Sequence, residues 1–125
     1  MVNQYEVDVY WRHSSIDNLP KIMNHVEGMF AKAIAKSTTQ AEAIDLAARI
    51  HWWVINATPY KRGSSAISDA LAKSILNAKG IRPGFWAVGI SPDIKAFHFS
   101  EAEFVACYKV NCGPPCPNLQ CFFKP

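Results

Sequence analysis

No run in this 125-residue chain approaches the ~18 consecutive apolar residues that a membrane-crossing helix requires, so a bilayer span is not expected. The first twenty residues, MVNQYEVDVYWRHSSIDNLP, hold no continuous apolar core, so neither a signal peptide nor an anchor is visible. The expected location is the cytoplasm, or an effector's destination reached without a classical signal peptide. Charge of one sign is also scarce. Thirteen Lys and Arg stand against ten Asp and Glu, a formal +3, and the cations are scattered rather than clustered. The electrostatic footprint of a nucleic-acid binder is missing, and nucleic acid is not an expected partner. There is no internal repeat. Cysteine is absent until Cys107, after which Cys112, Cys116 and Cys121 follow without the tight C-x2-C pairs of common zinc knuckles.

What is present points to one packed domain. Half of the residues are apolar or aromatic, including four Trp, four Tyr and seven Phe, enough for a single core and unlike a disordered chain. Tyr5, Val7, Val9 and Trp11 alternate with polar neighbours and predict a short strand. Leu19, Ile22, Met23, Val26, Met29, Phe30, Ala33 and Ile34 recur at helical spacing and predict a first helix. Thr39 and Glu42 form a capping box ahead of Ala43, Leu46, Ala47, Ile50, Trp53, Val54 and Ala57, which predicts a second helix over about 40–57. Pro59 ends it, because proline disfavours the helical region for its predecessor and has no N–H of its own. A third helix follows Gly63, with Ser64 or Ser65 as N-cap, Ile67, Ala70, Leu71, Ser74, Ile75 and Ala78 inward, and Gly80 as its terminal glycine. The Pro- and Gly-rich stretch IRPGFWAVGISPDIKAFHF, residues 81–99, reads as extended or looped. Ser100 and Glu103 form a second capping box, opening a short helix over Phe104, Val105 and Tyr108. The fold expected is mainly α with minor extended segments, a single domain over 1–125 ending in a Cys- and Pro-rich tail, 107–125.

The stretch NATPYKRGSSA, residues 56–66, joins the second and third helices and places two cations before a Gly-Ser-Ser run. Unpaired N–H groups and the helix dipole at the start of the third helix favour an anion there by up to ~1 to 2 kcal/mol. Lys61 and Arg62 add positive charge, and a guanidinium grips two phosphate oxygens without needing a metal. Asn56, Thr58, Lys61, Arg62, Gly63, Ser64 and Ser65 are therefore the candidate phosphate-binding residues. The plainer reading keeps Lys61 and Arg62 as solvated loop cations and the serines as helix caps.

The segment from Thr39 to Gly80 resembles the Fic/Doc family. That family's signature, His-Pro-Phe, two residues and Gly-Asn-Gly-Arg between two helices, is matched by Pro59, aromatic Tyr60 and Gly63 in register. The likeness covers about a third of the chain. It implies a small helical Fic-like core, ATP or another nucleotide as ligand, and a role in a bacterial toxin or effector. Active members move AMP onto a protein hydroxyl, using the motif histidine as base, an acidic residue on magnesium and the arginine on phosphates. Here Thr58 stands for the histidine, Arg62 for the acidic residue, Ser64 for the asparagine, Ser65 for the second glycine and Ala66 for the arginine. A threonine cannot accept a proton near neutral pH, and general-base help is worth roughly 10² to 10⁴ in rate, so ordinary AMP transfer is not expected.

Several alternatives stay open at this point. The chain binds a phosphate-containing small molecule or a target protein; or it is an active transferase working by another route, with His51 or Thr58 as catalytic candidate; or it is a helical adaptor. His51 also reads as a satisfied, partly buried histidine, and Trp52 and Trp53 as core and rim aromatics or a stacking platform. Cys107, Cys112, Cys116 and Cys121 are reduced thiols or a zinc tetrad.

Overall fold

The computed structural model describes residues 16–57, 63–82 and 92–108. The 3-10 turn Ile16–Asn18 leads into α1 (Leu19–Ile34), followed by α2 (Gln40–Ala57), α3 (Ser64–Ala78), α4 (Pro92–His98) and α5 (Glu101–Cys107). The described residues contain no strand, and none of their helices is long and apolar enough to cross a membrane. The strand expected over Tyr5–Trp11 lies outside them.

The central element is α2, which packs against all four other α-helices. Its N-terminus is capped as expected: Glu42 donates its backbone N–H to the Thr39 hydroxyl at 3.2 Å, and that hydroxyl donates to the Glu42 carboxylate at 3.0 Å. Ala43, Ala47 and Ala48 are fully buried, and their small side chains let neighbouring backbones come close. Val26, Met29 and Ala33, at helical spacing on α1, seal one side of this core. Phe104, Cys107 and Tyr108 seal another from α5 and its end, each with no exposed surface. Cys107, placed by the sequence at the head of the tail, is thus a core residue, as is Tyr108, which the sequence assigned to the short helix.

Three local expectations change. The third helix buries Ile75 as expected but otherwise turns different residues inward. Ser64, Ser68, Ala72, Ile75 and Leu76 are buried on α3, whereas Ala70, Ser74 and Ala78 are exposed and Ile67 and Leu71 half-buried. Ser64, Ser68 and Ala72 form a stripe of small residues along this inward face. Ser68 is admitted because its hydroxyl donates to the Ser65 carbonyl at 2.7 Å, leaving no unmet donor in the interior. The N-cap of α3 is Gly63, not Ser64 or Ser65; its left-handed backbone, φ +83°, turns the chain into the helix and offers no side-chain cap. Finally, Pro92–His98, inside the stretch read as extended, is helical. Pro92 suits a first helical position, Asp93 lies in the first turn, and Lys95 and His98 lie in the last, where they complement the helix dipole.

The other helix signals hold. Ser100 and Glu103 make both bonds of a capping box, each at 3.2 Å. Gly80, at φ +72°, ends α3 in a Schellman arrangement: Ile81 N–H reaches the Leu76 carbonyl at 2.8 Å and Gly80 N–H the Asn77 carbonyl at 3.0 Å. The same end of α3 grips the α1–α2 loop. Lys79 Nζ donates to the carbonyls of Ala35 at 2.5 Å and Thr38 at 2.9 Å, and Gln40 Nε2 donates back to the Lys79 carbonyl at 2.9 Å. The Thr38 hydroxyl closes the corner by donating to the Lys32 carbonyl.

Candidate functional site

Two regions carry polar chemistry among the described residues: the end of α2 with the start of α3, and a groove between α1 and α2. At the first, Thr58, Lys61 and Arg62 lie outside the described residues, so its described members are Asn56, Gly63, Ser64 and Ser65. Gly63 and Ser65 are exposed, and Ser64 is 8% exposed. Gly63 brings no oxygen, so the N-cap residue itself makes no side-chain cap bond to α3.

Asn56 is committed elsewhere. Its Nδ2 donates to the Trp52 carbonyl of its own helix at 2.9 Å and to the Ala96 carbonyl of α4 at 3.0 Å. It is the last of three donors on one face of α2. Arg49 Nη1 reaches the Glu101 carboxylate at 2.8 Å, and Trp52 Nε1 reaches the Phe99 carbonyl at 3.0 Å. Positions 49, 52 and 56 thus clip residues 101, 99 and 96 in reverse order. Arg49 also binds Asp45, one turn earlier, at 2.7 Å. The hydrogen bonds to Asp45 and then Glu101 hold the guanidinium's pKa above its usual range, against a smaller effect of burial.

His51 is 1% exposed, and its Nδ1 lies 2.8 Å from the Tyr108 hydroxyl. Phe104 and Tyr108 meet the ring edge-on, with centroids 5.7 and 5.4 Å away. Burial pushes its pKa down to about 4, outweighing the opposite pull of Asp69 and Asp93. A neutral imidazole enclosed this way packs among the core side chains. Trp52 and Trp53 are half-buried and stack edge-on at 5.2 Å, so they pack on each other rather than presenting parallel faces. Cys107 is buried in the core, while Cys112, Cys116 and Cys121 lie outside the described residues. Among the described residues, no three His, Cys, Asp or Glu side chains are grouped to hold a metal ion.

The groove, about 640 Å³, was not anticipated. His25, Gly28 and Lys32 line it from α1, Arg49 from α2 and Glu101 from α5. Trp53 meets His25 edge-on at 5.2 Å, and its buried indole N–H has no partner among the described residues. The i,i+4 spacing of Asp45 and Arg49 is the one local signal that could have pointed to Arg49.

Comparison with known proteins decides the family. Residues 2–111 match the AvrB_AvrC model, described as avirulence protein. Avirulence protein B of Pseudomonas savastanoi pv. glycinea is 38% identical over 97 residues, which is 78% of this chain and 30% of that protein. The chain belongs to the AvrB_AvrC avirulence protein family. It spans about a third of the length of that curated relative. The likeness to Fic/Doc over 39–80 is overturned, since the AvrB_AvrC match runs through that whole stretch and beyond it on both sides. Two helices around a Pro-aromatic turn, without the motif's catalytic side chains, form too general a frame to carry a family. AvrB_AvrC membership instead draws on nearly the whole chain, including α1, α4 and α5.

Proposed function

We propose that this chain is part of a bacterial effector that is delivered into host cells and acts on a host protein. The observation that carries it is the 38% identity to avirulence protein B, sustained across 78% of the chain. The groove between α1 and α2 supports a protein partner, because it offers Lys32, Arg49 and Glu101 beside the backbone of Gly28 on a rigid pair of helices. Proximity labelling in host cells by the chain and by Arg49→Glu tests this. A host protein labelled by the first and lost with the second, with helicity unchanged, supports it. Identical labelling by both, or none above background, removes it.

The second reading, a phosphate-containing ligand at the α2–α3 junction, is favoured by Gly63. A glycine N-cap supplies no side-chain oxygen of its own to α3, and Lys61 and Arg62 immediately precede it in sequence. Backbone amides at a helix start favour an anion. Thermal shifts with ATP, ADP and phosphate sugars, with and without magnesium, are the test; no shift with any of them sinks the idea. Nothing in this second reading requires transfer chemistry.

A further inference from the structure

Gly28 is a glycine that the fold itself does not call for. It lies inside α1 with ordinary helical backbone, since the positive-φ glycines among the described residues are Gly63 and Gly80. Nothing stands within 4 Å of where its Cβ would be, so no neighbour in the chain needs the room. An exposed glycine inside a helix is less stable there than alanine. What a bare helix turn does permit is close approach by another backbone.

Gly28 also belongs to a basic stripe. Lys21, His25, Gly28 and Lys32 follow one another at helical spacing, and all four are exposed. Neither lysine makes an ion pair among the described residues. Glu27, the one carboxylate of α1, is turned about 100° around the helix from Gly28 and does not line the groove between α1 and α2. The groove's own lining sets two cations, Lys32 and Arg49, against the single carboxylate of Glu101, with Met29 and Leu46 adding apolar surface. Glu42 and Asp45 line the adjoining hollow, which shares Lys32 and Leu46, so the basic stretch ends there. A positive lining, apolar sides and a bare helix turn together suit a polypeptide that carries carboxylates.

We infer that the groove takes an acidic segment of the partner protein, with its main chain seated over Gly28 and its carboxylates on Lys21 and Lys32. This names the chemistry of the partner under the protein-binding reading above and rests on that reading. At ~1.5 Å of rise per residue the two lysines stand ~16 Å apart along α1, about the reach of five extended residues.

Amide NMR spectra of the full chain, titrated at low salt with a short peptide alternating glutamate and glycine, test this; the glutamine–glycine and lysine–glycine peptides are controls. The expected result is shifts at residues 24–32 with the glutamate peptide, much weaker binding of the glutamine peptide and no response to the lysine peptide. Lys32→Glu and Gly28→Leu should each weaken binding roughly fivefold or more, the first through charge and the second through lost room. Lys36→Glu changes the net charge equally from an exposed position outside the groove and should leave binding intact. If Gly28→Leu fails to fold, Gly28→Ala decides in its place. No shift at 24–32, equal response to the glutamate and glutamine peptides, equal loss in Lys36→Glu, or full affinity in the Gly28 variant each overturns the inference. So do the same shifts on concentrating the protein alone, which would make a second copy the occupant. The protein-partner reading is judged separately by the Arg49→Glu labelling: if that variant loses a host protein while the peptide titration fails, the reading stands and this chemistry does not.

Discussion

His51 Nδ1 and the Tyr108 hydroxyl meet at 2.8 Å across 57 residues of sequence, in a space that both side chains fill with almost no exposure. The bond ties the middle of α2 to the end of α5. It also keeps His51 Nδ1 and the Tyr108 hydroxyl from being stranded in the core.

Acid should therefore loosen the protein through His51. Its folded pKa of about 4 lies below the ordinary 6.5, so the unfolded chain takes up the proton first. The stabilisation is complete above about pH 6.5, declines as the pH falls, and is lost once it passes about 4. At roughly 1.4 kcal/mol per unit, the full loss is about 3 kcal/mol. Urea midpoints measured between pH 7 and 4 check it. In His51→Phe this part of the decline should be absent.

Tyr108→Phe removes the hydroxyl while keeping the ring, leaving His51 Nδ1 without that partner in the interior. A cost of about 1 to 3 kcal/mol is expected, with edge-on packing against Phe104 retained. Denaturation at pH 7 measures it. A loss well below 0.5 kcal/mol is the result that does not fit.

Two glycines should respond with opposite signs. Gly28 sits within α1 with nothing inside 4 Å of where a Cβ would stand, so Gly28→Ala should stabilise by about 0.5 to 1 kcal/mol. Gly63 has equally open surroundings but a left-handed backbone, so Gly63→Ala should cost about 1 to 2 kcal/mol by conformation alone. Melting curves of the two variants side by side separate room from backbone strain.

The i,i+4 partner of Arg49, Asp45, was readable from spacing, but its tie to Glu101 spans 52 residues and no local pattern announces it. The same holds for Asn56 and Ala96, 40 residues apart. Helix ends were legible because caps are short-range: Thr39 with Glu42, Ser100 with Glu103, and Gly80. The inward face of α3 was legible only at Ile75, since apolarity also pointed to Ile67 and Leu71 whereas Ser64, Ser68, Ala72 and Leu76 are the other buried residues. Close approach between helices rewards small side chains, and a hydrophobicity pattern does not register size. The helix at Pro92–His98 was hidden by the Pro- and Gly-rich texture around it. At the candidate site, Gly63 was expected as a member of the turn but not as the cap itself.

Lys79→Met should cost about 1 to 2 kcal/mol, because its ammonium joins the carbonyls of Ala35 and Thr38 to the end of α3. Exchange at the Thr38 N–H, bonded to the Ala35 carbonyl at 3.1 Å, should quicken with it. An unchanged melting temperature together with unchanged exchange there contradicts the expectation.

The clasp that Lys79 and Gln40 form around residues 35–39 also governs how this protein can be altered. A brief connection between two antiparallel helices is ordinarily a convenient place for an epitope, a fluorophore or a fused domain. Here each added residue would carry a carbonyl away from the ammonium that grips it and pull α2 out of step with the tip of α3. Grafts in that bend should cripple folding even though most of its side chains face solvent.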